Sequence, residues 1–92
     1  MQILHFKLHS QKGLPVKLGI YQHFRGNYYQ VLGISRHSET LEEFVTYQAL
    51  YGDFGMWVRP VHMFTEKVEH ESTQVPRFAF VSDGVAQAPG VR

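Results

Sequence analysis

Side chains able to bind or transform a ligand are concentrated in the segment RHSET, residues 36–40. The guanidinium of Arg36 offers paired donors for a carboxylate or phosphate, and the imidazole of His37 adds a further donor. One interpretation is therefore a small hydrolase, or a sensor of a phosphorylated metabolite, centred on His37 and Glu39. A structural interpretation competes with it, in which the two hydroxyl side chains bond to the turn backbone while Glu39 offsets Arg36.

A second group of residues combines aromatic rings with cations. Tyr51 and Trp57 offer flat faces for stacking. Arg36 and Arg59 supply charge-assisted donors. Together with His37 these four residues form the predicted ligand-binding surface, whose centre is the loop at residues 52–55 together with Trp57. The surface indicates a non-enzymatic binding or interaction module for an unidentified ligand, with a peptide or a small anionic molecule favoured over nucleic acid.

Metal and cofactor chemistry is not indicated by the sequence. His5 and His9 share a face if their segment is a strand, but Lys7 between them would repel a metal ion. The chain has no nucleophile elbow, no phosphate-binding loop and no dinucleotide fingerprint. We therefore predict no metal site, no catalytic residue and no cofactor, and we expect a binding module rather than an enzyme.

Charge and composition restrict the partners and the compartment. The 92 residues include nine Lys and Arg and eight Asp and Glu, for a net charge of +1, which does not favour nucleic acid. Cysteine is absent, which excludes disulfides and thiol chemistry and fits a reducing compartment. The longest apolar run, residues 54–58, is too short to cross a membrane. We expect a cytoplasmic protein that does not contact a membrane.

Short strands must position these residues, because turn signals recur along the chain at the spacing of an all-β meander. The turns are predicted at residues 25–27, 37–40, 52–55 and 71–74. Six intervening segments are rich in β-branched and aromatic residues: LGIYQHF, YYQVLGISR, FVTYQALY, MWVRP, FTEKVEH and PRFAFVS. Aromatic residues reach 14% of the chain, more than a small core can hide, so some rings are expected on the surface.

Residues 40–52 carry a competing helical pattern. Thr40 followed by Glu43 resembles a capping box, an apolar stripe continues from Leu41, and Gly52 would end the helix. The β-favouring triplet at residues 45–47 and the period-two apolar alternation through position 51 favour a strand instead. We predict the strand.

The fold class that follows is all-β, a small curled antiparallel sheet or a barrel of the Src-homology-3-like kind. Pro60 should end the strand that holds Trp57, and the following PVHMF segment is expected to form one short helical turn. Such a turn before a late strand is common in barrels of this kind, an analogy that concerns fold alone.

The chain is expected to form one domain. Residues 1–16 are predicted to be an N-terminal arm, residues 17–82 the single small β domain, and residues 83–92 a flexible tail rich in glycine and small side chains. Self-association into a weak homodimer through an exposed strand edge, such as the arm, is a further alternative.

Four short patterns resemble a known family. They are a Tyr-x-His-aromatic-basic-Gly opening at residues 21–26, a Tyr-x-Val-Leu strand at 29–32, the Arg-His-Ser-Glu-Thr turn at 36–40 and a Trp-Val-Arg-Pro element at 57–60. Over residues 17 to 80 the sequence is similar to the bacterial family called domain of unknown function 1653. The resemblance supports a single domain, implies no activity and assigns no catalytic residue.

Overall fold

The computed structural model of the protein describes residues 15–83. Strands and one helix follow in this order: β1 (Gly19–His23), β2 (Tyr28–Arg36), β3 (Glu43–Ala49), β4 (Met56–Pro60), α1 (Val61–Thr65), β5 (Lys67–His70), β6 (Thr73–Pro76) and β7 (Phe78–Ser82). An antiparallel sheet has the strand order β4-β3-β2-β1-β7, and β5 pairs with β6 in a separate hairpin. The all-β prediction is confirmed. The five-stranded sheet is open, with β4 and β7 at its edges, so the domain is not a closed barrel.

The segment with two competing interpretations forms β3. Val45, Tyr47 and Ala49 are buried while the residues between them are less so, which is the alternation of a strand with one face on the core. The predicted strand is confirmed and the helical alternative is wrong. Gly52 does not end a helix; it lies in the β3–β4 turn with φ of 61°.

The segment FTEKVEH was predicted to be one strand, and this is wrong in its first half. Its first two residues close α1, and only Lys67–His70 forms a strand. The residues after it form a tight hairpin, because Glu71 and Ser72 both have positive φ, 53° and 65°, as a type I′ turn requires. The chain therefore returns at once as β6, a strand that the sequence prediction had placed partly in a turn.

The helical turn after Pro60 is confirmed. Pro60, with φ of −52° and ψ of 141°, is the last extended residue of β4. Val61–Thr65 follow directly as α1. The turn is short, but it places Phe64 in the core with 1% of its surface exposed.

The core lies between one face of the sheet and α1. Its buried residues are Val16, Tyr21, Val31, Val45, Tyr47, Phe64 and Phe78. Phe64 stacks on Phe78 with ring centroids 4.1 Å apart, and Tyr21 and Tyr47 meet Phe64 edge-on. Aromatic rings therefore hold the sheet and the helix together.

The other face of the sheet is more open to solvent. Met56 and Val58 are 58% and 59% exposed there. Exposed rings also occur, as the aromatic content predicts: Tyr28, Tyr51, Phe54, Trp57 and Phe80 are each at least 40% exposed.

Most of the predicted N-terminal arm and C-terminal tail lies outside residues 15–83, as do His5 and His9. Val16, the last residue of the predicted arm, packs in the core. No helix in the described part of the chain has the length and apolar character needed to span a membrane.

Candidate ligand-binding site

The pairing of β3 with β4 sets the position of the predicted ligand-binding residues. Tyr47 lies opposite Trp57, and Val45 lies opposite Arg59. Because Val45 and Tyr47 face the core, the side chains of Trp57 and Arg59 lie on the same face of the sheet as the core. Trp57 is nevertheless 57% exposed, since β4 is an edge strand.

A cavity of about 200 Å³ opens at this position and is lined by Tyr29, Tyr47, Tyr51, Trp57 and Arg59. We call it the aromatic pocket. The hydroxyls of Tyr29 and Tyr51 lie 2.7 Å apart in a hydrogen bond, and Arg59 Nε donates to the Tyr47 hydroxyl at 3.2 Å. The rings of Tyr29 meet those of Tyr47 and Tyr51 edge-on, at 5.5 Å in each case. The pocket therefore combines three phenol groups, one indole and one guanidinium.

Arg59 is the positive charge of the aromatic pocket. Its guanidinium lies over the Phe78 ring at 5.7 Å, and its Nε bonds to Tyr47. The ion pairs found within residues 15–83 are His70–Glu71 and Arg77–Glu66, so no carboxylate of the described chain neutralises Arg59. The terminal guanidinium nitrogens are thus left to donate to another group.

Burial and the hydroxyl pair raise the pKa of Tyr29 to about 12. Burial is the largest cause, followed by the hydrogen bond to Tyr51 and the charges of the neighbouring tyrosines, while Arg59 acts in the opposite direction. Tyr29 is therefore a neutral phenol at physiological pH and can donate its hydrogen bond.

This pKa predicts how stability depends on alkaline pH. Because the folded value lies above the ordinary value of 10.0, the contribution of Tyr29 is complete below pH 10 and is lost as the pH rises towards 12. Tyr51→Phe should bring the tyrosinate titration of Tyr29 to lower pH, since it removes the hydrogen bond and the neighbouring charge, whereas Tyr28→Phe should leave it in place. An ultraviolet titration of both variants tests this, and identical curves would contradict it.

His23 lies beside the aromatic pocket, with its ring 6.4 Å from that of Tyr29 and 5.0 Å from that of Phe78. Burial lowers its pKa, and the charges of three arginines, Arg59 first among them, lower it further. Its Nδ1 accepts a hydrogen bond from the backbone N–H of Arg25 at 3.1 Å. His23 is therefore a neutral residue that shapes the turn after β1, and it adds no charge to the pocket.

The loop between β3 and β4 forms one rim of the aromatic pocket. The backbone N–H of Phe54 donates to Tyr51 O, and the Gln48 side chain donates to Phe54 O, each at 3.0 Å. A Cβ atom at Gly55 would lie 3.6 Å from Trp57 Nε1, so the loop backbone approaches the indole closely. The predicted centre of the binding surface thus lies at the aromatic pocket.

Arg36 and His37 do not lie in the aromatic pocket. They line a separate cavity of about 220 Å³ with Ser35, Phe44 and Val58, which we call the turn pocket. Val58 belongs to β4 and faces away from its neighbour Arg59. The structure therefore groups three of the five predicted residues in one pocket and two in another, and the two pockets lie on opposite faces of the same sheet.

The turn that carries His37 is held by its own hydrogen bonds. His37 Nδ1 accepts from the backbone N–H groups of Glu39 at 3.1 Å and Thr40 at 3.3 Å, and the Thr40 hydroxyl accepts from Glu42 N–H at 3.1 Å. Among the described residues Arg36 makes no ion pair with Glu39. With Nδ1 used by the turn, only Nε2 of His37 is left to face a ligand.

Sequence reasoning did not assign Tyr29 and Tyr47 to the site. A signal for Tyr47 was present, because the period-two alternation that predicts β3 places it on the same face as the residue at 51. Tyr29 reaches the pocket through the pairing of β2 with β3, where it lies opposite Ala49. Nothing in the sequence pattern specifies that pairing.

Two other features of the described residues bear on where a ligand could bind. A groove of about 400 Å³ runs along Tyr21, Phe64 and Phe80 and borders Pro15, the first described residue. Its lining is mainly apolar, and the ammonium of Lys17 lies over the Phe80 ring at 4.0 Å. Within residues 15–83 no group of three His, Asp or Glu side chains is placed to hold a metal ion.

Comparison with known proteins identifies the family. The profile of the family described as "Protein of unknown function (DUF1653)" matches residues 19–80. A crystal structure of a protein belonging to DUF1653 from Bordetella bronchiseptica is similar, with a TM-score of 0.69 and 36% sequence identity, over 74% of this chain and 90% of that one. No curated protein matches the chain. The match to most of the described domain, together with the shared fold, shows that the chain belongs to the DUF1653 family of proteins of unknown function.

Proposed function

We propose that the protein is a non-enzymatic binding module whose aromatic pocket takes a ligand that carries an oxyanion, a carboxylate or phosphate, next to a flat or apolar group. The observation that supports this most directly is Arg59, a guanidinium without a carboxylate partner in the described chain, placed among three phenol hydroxyls. Charge-assisted hydrogen bonds from a guanidinium are among the strongest that proteins make.

The phenol groups complement this charge. Tyr47 accepts from Arg59 Nε and so fixes the direction of the guanidinium, which reduces the entropy lost when a ligand binds. One hydroxyl of the Tyr29–Tyr51 pair donates its hydrogen to the other, which leaves the hydrogen of the accepting hydroxyl available to a ligand. An oxyanion in the pocket would thus receive hydrogen bonds from Arg59 and from a neutral phenol.

Trp57 supports the proposal that the ligand carries a flat or apolar group next to its oxyanion. Its indole is 57% exposed at the mouth of the aromatic pocket, and large exposed rings beside a pocket are typical of binding surfaces. The net charge of +1 supplies little long-range attraction for nucleic acid, so a peptide or a small anionic molecule remains the favoured ligand.

Trp57 also provides a fluorescence probe of binding, because it is the sole tryptophan of the chain and lies in the proposed site. Titration with benzoate and with phenyl phosphate should change its fluorescence, whereas neutral benzamide should have little effect. Arg59→Met should weaken binding of both anions by about 10-fold to 100-fold, since a hydrogen bond to a charged group contributes roughly 1.5–3 kcal/mol.

Arg36→Met is the matched control, because it removes an arginine that lines the turn pocket and not the aromatic pocket. It should bind both anions as the wild type does. Equal affinity in wild type and folded Arg59→Met, or an equal loss in both variants, would contradict the assignment of the site.

A further inference from the structure

Among residues 15–83 no strand pairs with the outer edge of β4, and this edge has a defined pattern of backbone groups. Ala49 N–H donates to Gly55 O at 2.9 Å, which sets the alternation of the β3–β4 ladder. In an antiparallel pair this register directs the N–H and C=O groups of Trp57 and Arg59 towards β3 and those of Met56 and Val58 away from it. Met56 and Val58 therefore present their backbone groups at the edge of the sheet.

The usual protections of an edge strand are weak at this position. Proteins generally cover such edges or place charged side chains and prolines along them. Here Met56, Trp57 and Val58 follow one another and are 58%, 57% and 59% exposed. Arg59 and Pro60, which could limit pairing, stand only at the end of the strand.

Two pockets meet at this edge, one on each face of the sheet. Trp57 and Arg59 line the aromatic pocket, and Val58 lines the turn pocket together with Arg36 and Phe44. Successive residues of an added strand would point alternately into one pocket and the other. The aromatic pocket holds Arg59, which pairs with no carboxylate within residues 15–83.

We propose that β4 binds an extended acidic peptide segment of a partner protein as an additional antiparallel strand. The inference rests on the proposed function and specifies its ligand. Peptide residues opposite Met56 and Val58 form the backbone hydrogen bonds and turn apolar side chains to the exposed apolar face. Residues between them turn acidic side chains towards Arg59 and the ring of Trp57.

Charge and geometry favour this partner over a second copy of the chain. A second copy pairing through the same edge would bring two copies of Arg59 to one interface, with no described carboxylate on β4 to offset them. An acidic segment supplies the missing charge. Antiparallel pairing continues the arrangement of all the other strands in the sheet.

The experiment uses the full chain and blocked peptides with the sequence Thr-Val-Glu-Val-Glu-Val-Thr. Binding is followed by Trp57 fluorescence and by hydrogen exchange at the amides of Met56 and Val58. The peptide should bind and slow exchange at both amides. Replacing its glutamates by lysine should abolish binding, and Arg59→Met should remove the preference between the two peptides.

Two N-methylated peptides test the strand geometry. In the proposed register the valine nitrogens face β4 and the glutamate nitrogens face outward. Methylation of the valine nitrogens should therefore weaken binding at least about 10-fold, consistent with loss of hydrogen bonds of roughly 1 kcal/mol each. Methylation of the glutamate nitrogens should preserve binding.

Three results would overturn the inference: no binding of the glutamate peptide, equal effects of the two methylation patterns, or unchanged exchange at Met56 and Val58. Protection of these amides without peptide, together with a dimer in sedimentation, would also overturn it, because the occupant would then be a second copy. Benzoate binding is measured on the same samples. If benzoate binds and the peptide does not, the aromatic pocket stands and only the strand addition fails.

Discussion

Replacing Phe64 with alanine should destabilise the domain by about 3–5 kcal/mol, the range measured for buried phenylalanines. Phe64 is 1% exposed and stacks on Phe78 with ring centroids 4.1 Å apart. It meets Tyr21 and Tyr47 edge-on, with ring centroids 5.4 Å apart in each pair. Its removal would leave a cavity among rings held by β1, β3 and β7, which cannot collapse into it without breaking the sheet. Domains typically have a free energy of unfolding of about 5–15 kcal/mol, so the loss is a large part of the total.

Urea denaturation followed by far-ultraviolet circular dichroism measures the effect. Phe54→Ala is the matched control, because it removes the same side chain where 53% of it is exposed. Phe54 has φ of 57°, and alanine meets the same backbone restriction there, so little change in midpoint is expected. A similar shift in both variants would show that Phe64 is not the centre of the core.

The core and the candidate site share residues, and this connects stability with binding. Tyr47 is 4% exposed and packs on Phe64 and Phe78, yet its hydroxyl orients Arg59. Phe78 lies under the guanidinium at 5.7 Å. The position of the charge in the aromatic pocket is thus fixed by the same rings that hold the sheet on α1, and a preorganised site follows from the packing of the core.

Strand positions could be predicted well where alternation and turn residues agree. The predicted segments YYQVLGISR and MWVRP coincide with β2, Tyr28–Arg36, and β4, Met56–Pro60. Each begins directly after a glycine or an asparagine, and each is rich in residues that fit a pleated surface. The same agreement identified β3 against a helical pattern in the same residues.

The β5–β6 hairpin was harder to predict because its turn lacks the usual residues. A type I′ turn normally carries Asn-Gly or Asp-Gly, but here Glu71 and Ser72 adopt positive φ. The pairing of Val68 with Val75 stabilises the hairpin from outside the turn. Local sequence signals therefore pointed to a longer polar connection than the one that forms.

Only part of the candidate site could be predicted, because sequence does not specify which strand faces meet. Tyr51, Trp57 and Arg59, which lie close together along the chain and were assigned to one surface, line one pocket. Arg36 was assigned to the same surface but lines the separate turn pocket with Val58. The pairing of β2 with β3 shifts between Val31 and Gly33, so Val31 before the shift and Ile34 after it both lie opposite core-facing residues of β3, which simple alternation along β2 does not predict.

Gly19→Ala should detach β7 from the sheet or unfold the domain. Gly19 has φ of 138°, which side-chain-bearing residues rarely adopt, and a Cβ atom would lie 2.6 Å from the backbone oxygen of Ser82 and 3.1 Å from Asp83 Cα. Both obstacles are backbone atoms of the chain paired with β1, so no rotamer change relieves them. Strained backbone costs about 1–3 kcal/mol, and overpacking about as much again.

Substitutions at two other glycines separate the cost of backbone strain from the cost of close contact. Gly26 has φ of 113° with nothing near the Cβ position, so Gly26→Ala should show the backbone strain alone. Gly33 also has open space and no positive φ, so Gly33→Ala should be close to neutral. Urea midpoints should therefore fall most for Gly19→Ala, less for Gly26→Ala and least for Gly33→Ala. Equal midpoints for the first two would show that close contact with Ser82 does not constrain β1 against β7, and that glycine is needed at position 19 for its backbone angle alone.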